Sequence, residues 1–160
     1  MIRIGQGCDF HRFDAEGCPL VMGGIQIPHP YGLKGNSDAD VLLHAITDAV
    51  LGALAAGDIG KWFPPDDDQY KDADSAKLLE TVLQSSVVSD WRLGNLDATV
   101  ICEKPRLRPH IDKMRTSIAE IFGVRPNLIS IKATTTEEMG FTGRGEGIAA
   151  WASVLLQRGS

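Results

Sequence analysis

The chain has 160 residues, a length typical of one domain that buries about 68–70% of the surface its unfolded form exposes. Hydrophobic residues make up 43% and charged residues 23%, which excludes an intrinsically disordered chain. The net charge of −5 argues against a protein that coats nucleic acid, so an anionic ligand would need a local group of cations.

The N-terminus has no targeting features, because MIRIGQGCDF contains neither the basic region nor the apolar run of a signal peptide. With no segment apolar enough to span a membrane, we expect a cytoplasmic protein. Its three cysteines, Cys8, Cys18 and Cys102, are odd in number and lack paired spacing. They are therefore expected to be buried or half-buried thiols that form neither disulfides nor a cysteine zinc site.

The first predicted strand is IRIGQGCDFHRF, and the segments PLVMGG and IQIP predict two further strands of an antiparallel N-terminal sheet. Side chains alternate along a strand, so Asp9 and His11 project to one face and Cys8 to the other. This pair has three interpretations: an inconsequential surface pair, a histidine oriented by an acid, or two ligands of a divalent metal. The spacing alone favours the first.

A long helix is predicted next, over SDADVLLHAITDAVLGALAAG, with Ser37 or Asp38 as its cap and Gly57 at its end. His44 lies among apolar residues in its middle, where a histidine is more often a core residue than a ligand. However, a strand that supplies two ligands and a helix that supplies a third is a common way to build a zinc site with an open position. Asp48, one turn later, is then placed to accept a hydrogen bond from the imidazole.

The rest of the chain alternates helices and strands. After the acidic loop KWFPPDDDQYKDAD, a helix is predicted in SAKLLETVLQSSVV, a strand in LGNLDATVICEK, and a helix that opens at Pro109 and ends at Gly123. Two strands, LISIKATT and GIAAWASVLLQR, flank the turn FTGRGEG. The pattern predicts an α/β (α+β) sandwich: a mixed β-sheet with helices packed on one face. Both faces of the last strand are apolar, so self-association is expected to cover the open face.

A second group of polar residues lies in IKATTTEEMGF, residues 131–141. Its threonines offer hydroxyl and amide donors and Lys132 adds a cation, so the segment is suited to phosphate oxygens. Glu137 suits a hard cation such as Mg²⁺ or Mn²⁺. Taken by itself, however, such a segment is more often a turn without a ligand. Arg106 and Arg108 form the densest basic group, which either pairs with phosphate or solvates a loop.

Four motifs in order, IGQGCDFHRF, NSDADVLLHAITDAVLGALAAGDIGKWFP, KPRLRPHI and IKATTTEEMGFTGRGEGIAA, resemble the family of 2-C-methyl-D-erythritol 2,4-cyclodiphosphate synthases along essentially the whole chain. The resemblance implies one catalytic domain, residues 1–160, in a homotrimer that assembles through the sheet side, with active sites between subunits. It implies a phosphorus-oxygen lyase of the non-mevalonate isoprenoid pathway. Such an enzyme converts 4-diphosphocytidyl-2-C-methyl-D-erythritol 2-phosphate into the cyclic diphosphate and CMP.

The resemblance also implies the site residues. Zinc is held by Asp9, His11 and His44, and magnesium or manganese by Glu137; with Thr135, these form the catalytic set. Other matched positions contact the diphosphate, the cytosine, the ribose or the substrate phosphate. These substrate-binding residues are Asn36, Ser37, Asp58, Gly60, Phe63, Asp67, Cys102, Pro105, Arg106, Leu107, Lys132, Ala133, Thr134, Thr135, Phe141 and Arg144.

Arg144 and Glu146 match residues of the trimer's central channel. The sequence departs from the family at Asn36, where a histidine is usual, and at residues 65–66, where Pro-Asp replaces Asp-Thr. Two other functions remain open from the residues alone. One is a mononuclear zinc hydrolase of a nucleotide diphosphate, and the other is a non-catalytic oligomer in which the metal joins sheet to helix. Neither nucleic acid nor a membrane is expected as a partner.

Overall fold

The computed structural model describes residues 1–159. Its strands are β1 Ile2–Glu16, β2 Leu20–Met22, β3 Ile25–Ile27, β4 Tyr31–Leu33, β5 Arg92–Ile101, β6 Ile129–Thr134 and β7 Gly147–Gln157. Its helices are α1 Val41–Ala53, α2 Ile59–Trp62, α3 Ser75–Gln84, α4 Ile111–Phe122 and α5 Gly140–Gly143. Short 3₁₀ turns lie at Asp68–Tyr70, Arg108–His110 and Pro126–Leu128.

Five strands form one mixed sheet in the order β4-β1-β7-β5-β6. β5 and β6 are parallel, whereas β1–β4, β1–β7 and β5–β7 are antiparallel. α1 packs on β1 and β7, and α4 packs on β6, so the core lies between the sheet and the helices. The predicted α/β fold with a mixed sheet is confirmed.

The strand pairing near the N-terminus differs from the prediction. β2 and β3 pair with each other in a separate two-stranded sheet, whereas β1 pairs with β4 and with the last strand, from Ile2 opposite Gln157 to Arg12 opposite Gly147. The prediction of one antiparallel sheet from the first three strands is therefore wrong. Pairing between opposite ends of the chain leaves no local signal in the sequence, because it depends on how the intervening helices fold back.

Two glycines let α1 lie directly on the backbone of β1. A Cβ atom at Gly5 would lie 1.8 Å from the carbonyl oxygen of Ala49, and one at Gly7 would lie 2.1 Å from that of Ala45. Real Cβ atoms essentially never approach backbone this closely, so only glycine permits the contact. The next two residues on the same face of β1 are Asp9 and His11, which are thereby held against the first turns of α1.

The cap of α1 is Asp40, and not Ser37 or Asp38 as predicted. Its Oδ1 accepts hydrogen bonds from the amides of Leu43 and Gly23, both at 2.9 Å, and its Oδ2 accepts one from the amide of Gly24 at 2.8 Å. The side chain is fully buried, and burial raises the pKa of Asp40 against the effect of these hydrogen bonds. The carboxylate of Asp40 thus joins the β2–β3 turn to α1. The sequence did not indicate this role, because Gly23 and Gly24 lie 17 and 16 residues before Asp40.

Three other helix boundaries were predicted. α1 ends before Gly57, because the amides of Leu54 and Ala55 bond to the carbonyl oxygens three residues back, those of Leu51 and Gly52, each at 3.2 Å. Pro109 lies in a 3₁₀ turn, and α4 starts two residues later. Gly123 closes α4 in the left-handed conformation, with φ of 63°, and this prediction is confirmed.

An exposed aromatic group, which we call the outer aromatic patch, consists of Phe10 and Trp151 on the face of the sheet away from α1, together with Phe141 of α5. Phe10 lies 5.3 Å from Trp151 and 6.0 Å from Phe141, measured between ring centroids. All three side chains are at least 36% exposed in the single chain. Among residues 1–159, no helix has the length and apolar content needed to cross a lipid bilayer.

Candidate functional site

Asp9 and His11 on β1 meet His44 on α1, and we call these three residues the triad. Oδ2 of Asp9 lies 2.8 Å from Nε2 of His11 and 3.1 Å from Nδ1 of His44. The two imidazole nitrogens lie 3.1 Å apart. The structure therefore brings together the three residues that the sequence proposed as ligands, and the ligand atoms all lie within 4.8 Å of one another.

The other nitrogen of each imidazole has its own partner. Nδ1 of His11 lies 2.7 Å from the carbonyl oxygen of Lys34, which can only accept a hydrogen bond. We assign the proton of His11 to Nδ1 on this ground, so its Nε2 presents a lone pair to the triad. Nε2 of His44 lies 2.9 Å from Oγ of Ser75 and 3.1 Å from Oγ of Ser37.

This donor set fits a divalent metal. Lone pairs of a carboxylate and an imidazole that face each other at hydrogen-bond distance repel unless a proton or a cation lies between them. Two nitrogens and one oxygen are ligands that zinc takes in proteins, and three protein ligands leave a coordination position for substrate or water. Asp9, His11 and His44 are therefore placed to hold a divalent metal ion.

In the metal-free protein a proton takes the place of the cation. Burial opposes ionisation of Asp9, but hydrogen bonds from His11 and His44 outweigh it and hold the pKa of Asp9 well below its usual range. Burial also opposes protonation of His11, but the hydrogen bond and charge of Asp9 prevail and raise the pKa of His11. Protons and metal ions therefore compete for the same lone pair.

This competition gives a prediction for metal affinity. Because the pKa of His11 is raised above its ordinary value, its protonated fraction grows as pH falls through and below neutrality, and the metal must displace that proton. We expect the apparent zinc affinity to fall about tenfold per pH unit for each imidazole that must lose a proton. Competition titrations with a chromophoric chelator between about pH 5.5 and 8 measure this slope. A flat profile would contradict binding through His11.

Asp48 does not hold the imidazole of His44, contrary to the prediction. Its Oδ1 accepts a hydrogen bond of 2.7 Å from the amide of Ile59, and burial raises its pKa against that bond. Asp48 therefore anchors the start of α2. The hydroxyl of Ser75 takes its place beside His44, and sequence reasoning missed it because Ser75 is 31 residues away and marks only a helix start.

The triad opens into a cavity of about 220 Å³, the triad pocket. It combines polar groups near the ligands with apolar walls, one of which is formed by Phe63 and Tyr70, whose ring centroids lie 5.1 Å apart. Four predicted substrate contacts line it, together with residues that the sequence did not single out for this role. The lining residues beyond the triad are Asn36, Ser37, Ile59, Gly60, Phe63, Pro65, Tyr70 and Leu78.

A second cavity of about 320 Å³ lies at the ends of β5 and β6, and we call it the KPRLR pocket after residues 104–108. Burial, together with the charge of Glu103, raises the pKa of Cys102 to about 11, so this side chain is a neutral thiol. Cys8, by contrast, is exposed, so the prediction of buried or half-buried thiols is wrong for that residue. The structure brings seven predicted substrate contacts together here. The lining residues are Cys102, Glu103, Pro105, Arg106, Leu107, Arg108, Ala133, Thr134 and Thr135.

Glu137 stands in a strained turn next to this pocket. The hydroxyl of Thr135 donates to Oε1 of Glu137 at 3.0 Å, and the φ angles of Glu137 and Glu138 are 53° and 63°, which non-glycine residues rarely adopt. Glu103 supports the turn, since its Oε1 accepts hydrogen bonds from the amides of Thr136 at 3.0 Å and Glu138 at 3.3 Å. Glu103 lies 33 residues before Thr136, so the sequence carried no sign of this role.

Five predicted substrate contacts line neither pocket, and no residue lines both. The ammonium group of Lys132 pairs with Asp97 on the neighbouring strand, and the guanidinium of Arg144 pairs with Glu146 at 2.6 Å. A single chain thus keeps the two pockets separate. The predicted contacts outside them are Asp58, Asp67, Lys132, Phe141 and Arg144.

Comparison with known proteins gives consistent matches along the chain. The model of the YgbB family matches residues 2–157. The 2-C-methyl-D-erythritol 2,4-cyclodiphosphate synthase of Bacillus mycoides (strain KBAB4) is 59% identical over 158 residues, which cover 99% of each chain.

Solved structures agree with the fold. The bifunctional IspDF of Campylobacter jejuni superposes with a TM-score of 0.94 and 40% identity; the match covers all of this chain, which spans 43% of that protein. IspF of Plasmodium falciparum, solved as a CDP complex, gives a TM-score of 0.85 and 30% identity over 99% of this chain and 97% of the other.

Proposed function

The chain belongs to the YgbB family, and from this we propose that it converts 4-diphosphocytidyl-2-C-methyl-D-erythritol 2-phosphate into 2-C-methyl-D-erythritol 2,4-cyclodiphosphate and CMP with the residues assigned below. It is an enzyme of cyclodiphosphate synthesis, a lyase of isoprenoid biosynthesis, as identity to its relatives over nearly the full chain shows. The two alternative functions, a zinc hydrolase and a non-catalytic oligomer in which the metal joins sheet to helix, have no comparable support.

We assign zinc to Asp9, His11 and His44, and magnesium or manganese to Glu137. The observation that carries this assignment is the convergence of three ligand atoms with the second nitrogen of each imidazole already satisfied. When bound, the two cations neutralise charge on the diphosphate and bring the reacting phosphates together. Asp9, His11 and His44 would hold the first cation, and the strained turn presents the carboxylate of Glu137 for the second.

The reaction needs little acid or base chemistry from the protein. The 2-phosphate of the substrate has a second pKa of about 6, so near neutral pH it is already an anionic nucleophile. One of its oxygens forms a bond to the β-phosphorus, and the bond from that phosphorus to the bridging oxygen breaks. CMP leaves with the bridging oxygen, and no water is consumed. The protein therefore contributes mainly position and charge.

The KPRLR pocket is assigned to the nucleotide. Hydroxyl groups of Thr134 and Thr135 and the guanidinium of Arg106 are suited to donate hydrogen bonds to diphosphate oxygens. The neutral thiol of Cys102 and the apolar side chains of Pro105, Leu107 and Ala133 form the wall against which cytosine packs. Local cations and hydroxyls thus attract a polyanion to a protein with net negative charge.

The triad pocket is assigned to the methylerythritol phosphate end of the substrate. The two pockets share no residue, so we propose that the triad pocket of one subunit faces the KPRLR pocket of the next in a homotrimer. Asp58 and Gly60, at the start of α2, would contact the ribose between them. Assembly through the open sheet face would bury the outer aromatic patch, which is otherwise an exposed apolar surface.

Product analysis in water enriched with ¹⁸O tests the proposal. We expect purified protein with zinc and magnesium to release CMP and cyclic diphosphate in equal amounts, with no ¹⁸O in either product. A strong chelator should stop turnover, and added zinc with magnesium should restore it. One ¹⁸O atom per turnover would show that water is the nucleophile, and the protein would then be a hydrolase.

A further inference from the structure

The hydroxyl of Ser75 lies between a triad ligand and a carboxylate. Ser75 is the first residue of α3 and is 1% exposed. Its Oγ lies 2.9 Å from Nε2 of His44 and also forms a hydrogen bond with Oδ1 of Asp38. These contacts connect three segments of the chain: α1, the loop before it and the start of α3.

The chemistry of the three groups fixes the direction of both hydrogen bonds. An ionised carboxylate only accepts, so the single hydroxyl proton of Ser75 goes to Asp38. The oxygen of Ser75 then meets His44 as an acceptor, which requires the proton of the imidazole to be on Nε2. Nδ1 of His44, which faces Asp9 and His11, is then the nitrogen left to bind the metal.

The second hydroxyl beside His44 does not impose this arrangement. Oγ of Ser37 lies 3.1 Å from Nε2 and accepts a hydrogen bond from the amide of Ala39 at 3.2 Å. Because its own proton is not held by a carboxylate, Ser37 is able to donate to His44 or to accept from it. Only Ser75 has a partner that determines its role.

Asp38 is itself held in place before any metal binds. Its Oδ2 accepts a hydrogen bond from the amide of Ser75 at 3.1 Å, and its Oδ1 accepts one from the amide of Asp40 at 3.2 Å. The backbone amide of Asp38 donates to the carbonyl oxygen of Ala73 at 3.0 Å. The carboxylate is thus preorganised by backbone groups on both sides.

We propose that Asp38 and Ser75 are positioning residues for His44: they fix the imidazole tautomer and ring orientation in which Nδ1 binds the metal. The inference rests on the proposed function in one respect, that the triad holds zinc. An outer partner of this kind typically changes metal affinity by 10–100-fold. Ser75 also ends the loop that borders the triad pocket, so the metal ligand and that loop share one hydrogen-bonded connection.

Zinc affinity of the purified full chain tests the inference. Ser75→Ala is expected to raise the zinc Kd by about 10–100-fold, and Asp38→Ala by a similar factor. Asp38→Asn keeps an oxygen acceptor for Ser75 and is expected to recover part of the affinity lost in Asp38→Ala. The matched control is Thr81→Ala on the same helix, because the Thr81 hydroxyl only donates to the backbone of Lys77; its Kd should stay within about twofold.

A spectroscopic readout separates positioning from a general structural effect. In zinc-loaded protein with ¹⁵N-labelled histidine, the imidazole shifts of His44 should report a protonated Nε2 and a metal-bound Nδ1 in the wild type, and a mixture of Nδ1-bound and Nε2-bound rings in Ser75→Ala. At saturating zinc, kcat of Ser75→Ala should recover. If Ser75→Ala and Asp38→Ala both bind zinc with a Kd within twofold of the wild type, the positioning role is wrong, but the assignment of zinc to the triad is unaffected. If the wild type itself binds no zinc, the metal assignment of the proposed function fails instead.

Discussion

Replacing His44 by alanine is expected to lower kcat/KM by about 10³-fold or more while the protein stays folded. The substitution leaves one carboxylate and one imidazole, Asp9 and His11, too few to hold zinc with the geometry of a catalytic site. A bound metal contributes several kcal/mol of charge stabilisation in the transition state, and about 4 kcal/mol corresponds to about 10³ in rate. Steady-state CMP release measures the loss of activity, and zinc content per chain measures the loss of metal binding.

The fold should tolerate this change because His44 is only partly buried and lies beside hydroxyls that water can satisfy. Circular dichroism and size-exclusion chromatography should therefore match the wild type. His29→Ala is the matched control: the ring of His29 stacks on Phe13, at 5.2 Å between centroids, and lies outside both pockets. His29→Ala should keep turnover within a few fold. A folded His44→Ala protein with wild-type turnover would rule out the zinc assignment.

The second large effect is expected at Gly7. In Gly7→Ala, the added Cβ would lie 2.1 Å from the carbonyl oxygen of Ala45 and 2.7 Å from the amide nitrogen of Ala49. Both atoms are backbone, so α1 must move away from β1 as a unit. Overpacking of this kind typically costs about 1–3 kcal/mol and more where the backbone cannot yield, so we expect about 3–5 kcal/mol of lost stability. The same movement draws His44 away from Asp9 and weakens zinc binding.

Gly52→Ala, on the helix that Gly7 contacts, is a control whose expected effect on stability has the opposite sign. A Cβ there meets only the carbonyl oxygen of Gln6, at 3.6 Å, an ordinary contact distance. Alanine in place of glycine within a helix stabilises it by about 0.5–1 kcal/mol. Denaturant unfolding at one fixed protein concentration, with metal removed, measures both changes. If Gly7→Ala were as stable as the wild type, the close approach of α1 to β1 would be wrong.

The candidate metal ligands could be predicted from the sequence for a simple geometric reason. Alternation along a strand places Asp9 and His11 on one face regardless of what surrounds the strand. The apolar setting of His44 by itself favours a core residue, but two ligands on a strand and a third on a helix are a common zinc arrangement, which makes His44 the third candidate. Family resemblance along the whole chain then supplies the reaction. Motifs of this kind are local, so their spacing survives in the linear sequence.

The sequence was not sufficient to predict the hydrogen-bond partners of those ligands. Helical spacing places Asp48 one turn after His44, and nothing in that spacing shows that Asp48 instead meets the amide of Ile59. The hydroxyl of Ser75 reaches His44 because α3 folds back beside α1, and its connection to Asp38 spans 37 residues. Loop and helix ends far apart in the chain determine these contacts.

Patterns within the sequence are enough to predict the fold class, the candidate metal ligands and the family, because the spacing of residues in strands, helices and short motifs depends only on neighbouring residues. The folded chain is needed to show that β1 pairs with β7, that Asp40 caps α1 while binding the turn at residues 23–24, and that eleven of the predicted substrate contacts fall in two separate pockets. The physical reason is the same in each case. Hydrogen bonds and close packing between distant segments depend on how the elements are placed against one another, and no local propensity encodes that placement.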